Sequence, residues 1–235
     1  GAGAMRAAAI LCAALLAGAA AAQQTPVPFD GPADDPHRSV TLTRGITDMR
    51  QIDDASLRVL RDRMHRGVWV PSAGLRRLAD LGDGLAAQRY VRRLLQAPAP
   101  SRRHSDIAYY AAVAVGTGRV WTLDDMIAAM ARLDPATEPR WRVDRLMAVL
   151  HAHAWAGNTD ALAAVERFNG AGKLFGPMAA ATRTRLLAAS QAAGDGTVAL
   201  RLALQRLEAL PADGRIAADD LAAIDALLDR AEAAG

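Results

Sequence analysis

The sequence predicts an all-α fold made of stacked helical hairpins. From Asp48 onward, apolar residues recur every three or four positions, which is the spacing of one helix face, and Gly-containing turns recur between these segments. Of the 235 residues, 51% are hydrophobic and one is Cys, which excludes a collagen-like, a wholly disordered or a disulfide-stapled chain. A chain of this length can bury a continuous core.

Residues 1–22 are predicted to be a tag scar followed by a cleavable signal peptide. Arg6 supplies a positive charge, and the apolar stretch at residues 7–16 is too short to span a bilayer. Three alanines end at Ala22, so we expect cleavage after that residue and a periplasmic or secreted protein; an uncleaved membrane anchor is the alternative. Cys12 follows a Leu rather than a small residue, which argues against lipidation, and its removal leaves the mature chain without a thiol.

Residues 23–47 are predicted to form a leader ahead of the helical domain. Residues 23–38 are rich in Pro and Asp and lack apolar periodicity, which is typical of a flexible or extended tether. Residues 40–46 alternate apolar and polar side chains, a pattern that fits one short strand or an extended arm. The helical-repeat domain is therefore expected over residues 48–235.

Ten helices are predicted in that domain. The first is capped by Asp53 or Asp54, buries Leu57 on its apolar face and ends at Gly67. Thr122, three residues before an Asp, is expected to start a later helix through a capping box. The other nine helices are expected at residues 71–82, 84–97, 104–116, 122–133, 139–156, 159–168, 177–193, 196–210 and 217–233.

Three turns between these helices share one composition. Each contains a Gly followed by an Asp or Asn, and an Ala-bearing helix comes next. The Gly supplies the left-handed backbone conformation that ends one helix, and the Asp or Asn caps the other. The pairs are Gly82 with Asp83, Gly157 with Asn158, and Gly194 with Asp195.

These hairpins resemble tetratricopeptide and Sel1-like repeats, which carry a Gly at the turn, an Ala five residues later and a Pro after the second helix. Gly194, Ala199 and Pro211 have the family's spacing, as do Gly82 and Ala87. The family's aromatic and Leu-Gly positions in the first helix are mostly missing. The resemblance implies a right-handed α-solenoid that binds a protein or peptide partner.

Trp69, Trp121 and Phe175 follow a second repeated pattern. Each comes after an aliphatic residue and shortly before a helix, and they lie 52 and 54 residues apart. We interpret them as hydrophobic anchors that pack the chain onto the next helix. In the alternative, all three line one concave face and grip a partner, which makes them candidate partner-binding residues.

Arginine dominates the positive charge of the chain. The 28 basic residues include a single Lys and face 25 acidic ones, so the net charge of +3 is too small for a typical nucleic-acid-binding protein. Arg89, Arg92 and Arg93 have helical spacing and form a cationic stripe, which suits an acidic partner or an anionic surface. Ordinary solvation of these side chains is the other interpretation. Contact with a membrane is expected to be peripheral at most.

No catalytic, cofactor or metal site is predicted. His151 and His153 are two residues apart and point in different directions on a helix, so they cannot hold one metal ion together. The segment ending at Asp220 imitates the second half of an EF-hand but lacks two earlier carboxylates. Glu166 and Glu208 lie in second helices of hairpins, outside any catalytic motif, where a solvated face is expected.

The sequence therefore predicts an exported helical-repeat protein that acts as a protein- or peptide-binding scaffold in the cell envelope. It is not expected to be an enzyme. The alternatives are an accessory or degenerate protein that acts on peptidoglycan, and a binder of anionic envelope surfaces that uses the arginines. The partner's identity and the oligomeric state do not follow from the sequence.

Overall fold

The computed structural model describes residues 39–98, 103–210 and 216–234, and over these ranges the protein is all-helical, as predicted. Ten α-helices coincide with the ten predicted ones, and no end of the nine later helices differs by more than three residues. They are α1 (Ala55–His65), α2 (Ser72–Asp80), α3 (Gly84–Gln96), α4 (His104–Gly116), α5 (Leu123–Met130), α6 (Arg140–Trp155), α7 (Thr159–Phe168), α8 (Ala180–Ala192), α9 (Thr197–Glu208) and α10 (Ala218–Ala234). Short 3-10 helices lie at Met49–Gln51 and Val120–Thr122.

Three predictions from the sequence lie outside the described residues. The signal peptide and the 23–38 leader fall in residues 1–38, and residues 211–215 of the EF-hand-like segment are also outside the described ranges. Among the helices that are described, none is both long and apolar enough to cross a membrane.

The helices pack in two rows. Helices α2 and α3, α4 and α5, α6 and α7, and α8 and α9 form consecutive packed pairs, and α10 packs on α9. Along the chain, α4 contacts α6, α6 contacts α8 and α8 contacts α10, which defines an even-numbered row. Helices α5, α7 and α9 contact one another in the same order and define an odd-numbered row. One continuous hydrophobic core runs between the rows, from Ile52 to Leu202.

The three predicted Gly turns share one geometry. Gly82, Gly157 and Gly194 have φ angles of 89°, 91° and 69°, in the left-handed region that favours Gly. In the first turn the amide of Gly82 donates to Ala79 O, and the amide of the next residue donates to Leu78 O. The other two turns repeat this pair of bonds, which satisfies the last carbonyls of each helix.

The predicted caps are present in two of these turns. Asp83 and Asn158 accept hydrogen bonds from backbone amides of α3 and α7, respectively. Asp195 instead accepts from the amide of Thr197, and Gly196 occupies the cap position of α9. The capping box expected at Thr122 is wrong, because that buried side chain makes no capping hydrogen bond.

Residues 39–47, which we call the arm, are extended rather than part of a sheet. Thr41 forms one isolated antiparallel bridge with Thr117. The amides of Leu42 and Thr43 both donate to Gly116 O, at 2.8 and 3.0 Å. Of the two alternatives that the sequence left open, the extended arm is therefore correct.

The arm crosses the carboxyl ends of three even-numbered helices. Gly45, with φ of 61°, lies against the turn after α2, where a Cβ atom on it would stand 2.5 Å from Gly82 O. The next contact is with the end of α4, described above. The Val40 amide then donates to His153 Nε2 on α6, at 3.4 Å. The arm thus bridges α2, α4 and α6 along one edge of the row.

A buried ion pair fixes the end of the arm to the first Gly turn. Arg61 Nε lies 2.7 Å from Asp83 Oδ2, and the two side chains are only 10% and 3% exposed. Arg61 Nη2 also donates to Ile46 O at 2.9 Å, and Asp83 Oδ1 accepts from the amide of Ala86 at 2.9 Å. Each side chain of the pair therefore also hydrogen-bonds one backbone group: Arg61 bonds the carbonyl of Ile46, and Asp83 bonds the amide of Ala86.

Candidate functional site

The structure separates the three aromatic residues predicted as anchors. Phe175 is 6% exposed, as expected of an anchor. Its ring packs on Phe168 of α7, the preceding helix, whereas the sequence predicted packing on the next helix. Trp69 and Trp121 are 67% and 68% exposed, so the packing interpretation is wrong for them. Because Phe175 is buried, the three do not form one exposed gripping surface either.

The Arg89, Arg92 and Arg93 stripe is partly occupied by contacts within the chain. Arg89 Nη1 donates to Met64 O at 2.9 Å. The Arg93 guanidinium lies 5.2 Å from the centre of the Trp69 ring and donates to a Ser side chain. Only Arg92 is exposed, so the stripe offers less free positive charge than its spacing indicated.

A cleft of about 390 Å³ lies between the arm and the even-numbered helices, and we call it the arm cleft. Thr43 and Gln51 come from the arm side, Asp80 from α2, Tyr109 and Val113 from α4, and Arg145 from α6. Three helices and the arm therefore meet at one concave surface. None of these residues was a candidate from the sequence.

The floor of the arm cleft continues into a chain of aromatic rings. Tyr90, Tyr110, Tyr109 and Trp141 follow one another with ring centres 4.9, 5.0 and 5.2 Å apart, each pair edge to face. All three Tyr of the protein belong to this chain. Tyr110 is buried, whereas Trp141 is 57% exposed, so the chain leads from the core to the surface. Edge-to-face pairs of this kind hold the rings in fixed positions.

Polar groups fix the buried end of this aromatic chain. Tyr110 donates its hydroxyl proton to Asp80 Oδ1 at 2.6 Å and accepts from Arg76 Nε at 3.1 Å. Burial, reinforced by the hydrogen bond to Asp80, raises the pKa of the Tyr110 phenol. Burial likewise raises the pKa of Tyr90. Both rings therefore stay neutral at any physiological pH.

Two arginines flank the exposed end. The Arg142 guanidinium lies 5.0 Å from the Tyr109 ring centre and 5.3 Å from that of Trp141, and it pairs with Asp106 at 3.0 Å. The Arg145 guanidinium lies 5.4 Å from the same Tyr109 ring. Within the described residues, no hydrogen bond or ion pair involves Arg145, and its Nε is buried without a partner.

The two histidines of α6 have separate structural roles. His153 is fully buried, its Nδ1 lies 3.0 Å from Val149 O, and its Nε2 accepts from the arm. Burial lowers its pKa, so the neutral ring that can accept this bond is favoured. His151 stacks on Trp155, and burial together with the charge of Arg185 lowers its pKa. Over the described ranges, no cluster of three His, Cys, Asp or Glu side chains is arranged to hold a metal ion.

One predicted surface residue is buried instead. Glu166 is 4% exposed and lies between α7 and α9, where Gln205 donates to its carboxylate and Arg201 is 3.7 Å away. The expectation of a solvated face is therefore wrong for Glu166. It holds for Glu208, which is exposed on α9.

The residues of the arm cleft lie far apart in the sequence, which explains why periodicity did not reveal them. The one local signal is the 141–145 segment of α6, where Trp141 and Arg145 are four residues apart and share a helix face. An aromatic residue and an Arg on one face of a polar helix are common in binding surfaces. Comparisons of the chain with protein-family models, with curated proteins and with solved structures return no match.

Proposed function

We propose that the protein is a helical-repeat scaffold that binds a protein or peptide partner in the arm cleft. The observation that carries this proposal is the cleft itself, which Tyr109 of α4 and the unpaired Arg145 of α6 both line, with the exposed Trp141 ring packed on Tyr109 beside it. Trp, Tyr and Arg are the residue types that contribute most to binding at protein interfaces.

We further propose that the two rows of helices form a right-handed solenoid of the tetratricopeptide or Sel1-like type. The repeated Gly turns and the order of contacts within each row support this arrangement. In such a stack, helices of one row line an extended surface on which a partner can lie. The arm cleft occupies the even-numbered row, between α2 and α6.

The cleft is well suited to binding without a large loss of conformational entropy. The ring of Tyr109 is held between Tyr110 and Trp141, and the arm is bonded to α4 and α6. Side chains and backbone that are already fixed lose little freedom when a ligand arrives. The site therefore needs few contacts to reach a useful affinity.

We propose that the protein acts after export, in the periplasm or outside the cell. The N-terminal pattern at residues 5–22 supports this proposal. Its test is the mass and N-terminal sequence of the protein recovered from the envelope fraction. A chain that starts at Gln23 would support export with cleavage of the signal peptide. A chain that retains Met5 would contradict cleavage and favour the uncleaved membrane anchor, and absence of the protein from the envelope fraction would contradict export.

Site-specific photocrosslinking tests the proposed function. A benzophenone amino acid replaces Trp141, whose ring packs on Tyr109 beside the cleft. The control places it at Trp121, which is 68% exposed beside α5 in the odd-numbered row. We expect one protein adduct from position 141 and none of the same mass from position 121. The captured protein is then purified and titrated against the chain by calorimetry. Equal labelling from both positions, or no saturable binding, would reject the cleft as the site.

A further inference from the structure

We propose that the arm cleft binds a carboxylate group of its peptide ligand and that Arg145 is the cation that holds it. This inference rests on the proposed function and names the chemistry that the site selects. Three steps lead to it: the charge of Arg145 is not neutralised, its side chain lines the cleft, and the other charged group there disfavours divalent anions.

The first step compares the three arginines around the aromatic chain. Arg142 pairs with Asp106 and also donates to Ser105 Oγ. Arg76 donates to the Tyr110 hydroxyl, which in turn donates to Asp80. Arg145 differs from both, because within the described residues it makes neither a hydrogen bond nor an ion pair with another group. Its charge is therefore available to a ligand.

The second step concerns the direction in which Arg145 can make bonds. Its Nε is inaccessible to water and has no partner, and the ring of Tyr109 covers one side of the guanidinium. Arg145 lines the arm cleft, so its remaining N–H groups are approached from there. A carboxylate fits this geometry, since its two oxygens can accept parallel bonds from one guanidinium.

The third step concerns the choice among anions. Asp80 lines the same cleft and carries a negative charge next to the Tyr110 hydroxyl. It repels negative charge, and it repels a doubly charged phosphate or sulfate more strongly than a carboxylate, which carries one charge. It can accept from an N–H donor, and every peptide carboxylate is accompanied by backbone N–H groups. One guanidinium and one carboxylate in a cleft of about 390 Å³ therefore match a peptide with a single acidic group.

The acidic group could be the C-terminal carboxylate of the ligand or an Asp or Glu side chain, and a peptide array separates the two. Octapeptides are synthesised with a free C-terminal carboxylate or a C-terminal amide, and each position is scanned with Glu against Gln. The purified chain is applied to the array, and binders are titrated in solution by calorimetry. We expect bound peptides to lose affinity when the free carboxylate is amidated, or when one Glu becomes Gln.

Two variants assign the effect to Arg145. Arg145→Gln keeps a polar side chain and removes the charge, and we expect it to weaken the binding of carboxylate-bearing peptides by about 10- to 100-fold. The matched control is Arg140→Gln on the same helix, where the side chain is 67% exposed and pairs with Asp144. This control should bind like the unsubstituted protein. Far-UV circular dichroism of both variants checks that α6 remains folded.

The outcomes distinguish this inference from the proposed function. If peptides bind, and neither amidation, Glu-to-Gln exchange nor Arg145→Gln changes their affinity, the carboxylate inference is wrong and the binding function stands. If Arg140→Gln weakens binding as much as Arg145→Gln, the effect is not specific to the cleft and the inference is again wrong. If no array peptide binds and position 141 captures no partner, the proposed function itself is wrong.

Discussion

Replacing Asp83 with Asn tests the buried ion pair that joins the arm, α1 and the first Gly turn. Asp83 uses its two oxygens for two donors: Oδ1 accepts from the Ala86 amide, and Oδ2 accepts from Arg61 Nε. Asn has one oxygen and one NH₂ group, so it can satisfy only one of these donors. If the cap is kept, the NH₂ group faces the guanidinium.

The expected loss follows from the burial of both partners. The Arg61 side chain is 10% exposed and that of Asp83 is 3% exposed, so the remaining guanidinium cannot regain full hydration. Removing one partner of a buried pair destabilises a protein by about 3–5 kcal/mol. Because Arg61 keeps its bond to Ile46 O, we expect Asp83→Asn to cost about 3 kcal/mol, near the lower end of that range.

The chain offers a matched control on its surface. Asp54 has the same two tasks, since one oxygen caps α1 and the other lies 2.7 Å from Arg77 Nη2. The side chains of that pair are 57% and 39% exposed, so water replaces the lost partner. Asp54→Asn should therefore lower the stability much less than Asp83→Asn.

The assay is urea denaturation followed by far-UV circular dichroism, with the double variant Arg61→Met, Asp83→Asn included. The double variant keeps an oxygen for the cap and removes both charges, so it should recover most of the lost free energy of unfolding. Two results would refute the reasoning. One is a loss of free energy of unfolding in Asp83→Asn no larger than in Asp54→Asn. The other is a loss in the double variant equal to the sum of the losses measured for Arg61→Met and Asp83→Asn separately.

Two further variants probe the attachment of the arm. Gly45→Ala should lower the free energy of unfolding by at least about 2 kcal/mol, because it combines a left-handed φ of 61° with a Cβ atom 2.5 Å from Gly82 O. Gly67→Ala is the matched control in thermal denaturation, because Gly67 also has a left-handed φ of 76° but no atom lies within 4 Å of the added Cβ. Equal losses of stability in the two variants would contradict the close approach of Gly45 to Gly82 O. Burial lowers the pKa of His153 in the folded protein. The neutral His153 ring therefore contributes its full stabilisation above the unfolded-state pKa of about 6.5, and this contribution is lost as the pH falls through the lower folded-state pKa. His153→Gln retains an acceptor for the Val40 amide, so its melting temperature should fall less between pH 7.5 and pH 5 than that of the unsubstituted protein. The same pH dependence of the melting temperature in both proteins would contradict a neutral buried His153.

Features that depend on nearby residues could be predicted from the sequence. Helix positions follow from apolar spacing within about four turns, and the three Gly turns follow from a left-handed conformation that few other residues adopt. The caps at Asp83 and Asn158 were found for the same reason, because a cap bonds an amide three residues ahead. Thr122 had similar spacing, but its side chain is buried beneath α5 instead.

Features that depend on which helix covers which face could not be predicted. Trp69, Trp121 and Phe175 occupy equivalent places in the sequence, yet of the three only Phe175 is buried. Glu166 was expected on a solvated face, and the packing of α9 against α7 buries it.

The sequence by itself thus determined that the chain is helical, where its helices begin and end, and how its hairpins turn. The tertiary structure alone decided that the arm crosses three helix ends and that Asp80, Tyr109 and Arg145 meet in one cleft. The physical reason is the range of the interactions. Helix spacing, caps and Gly turns act within a few residues. Asp80, Tyr109 and Arg145, in contrast, are at least 29 residues apart and are brought together by the packing of α2, α4 and α6.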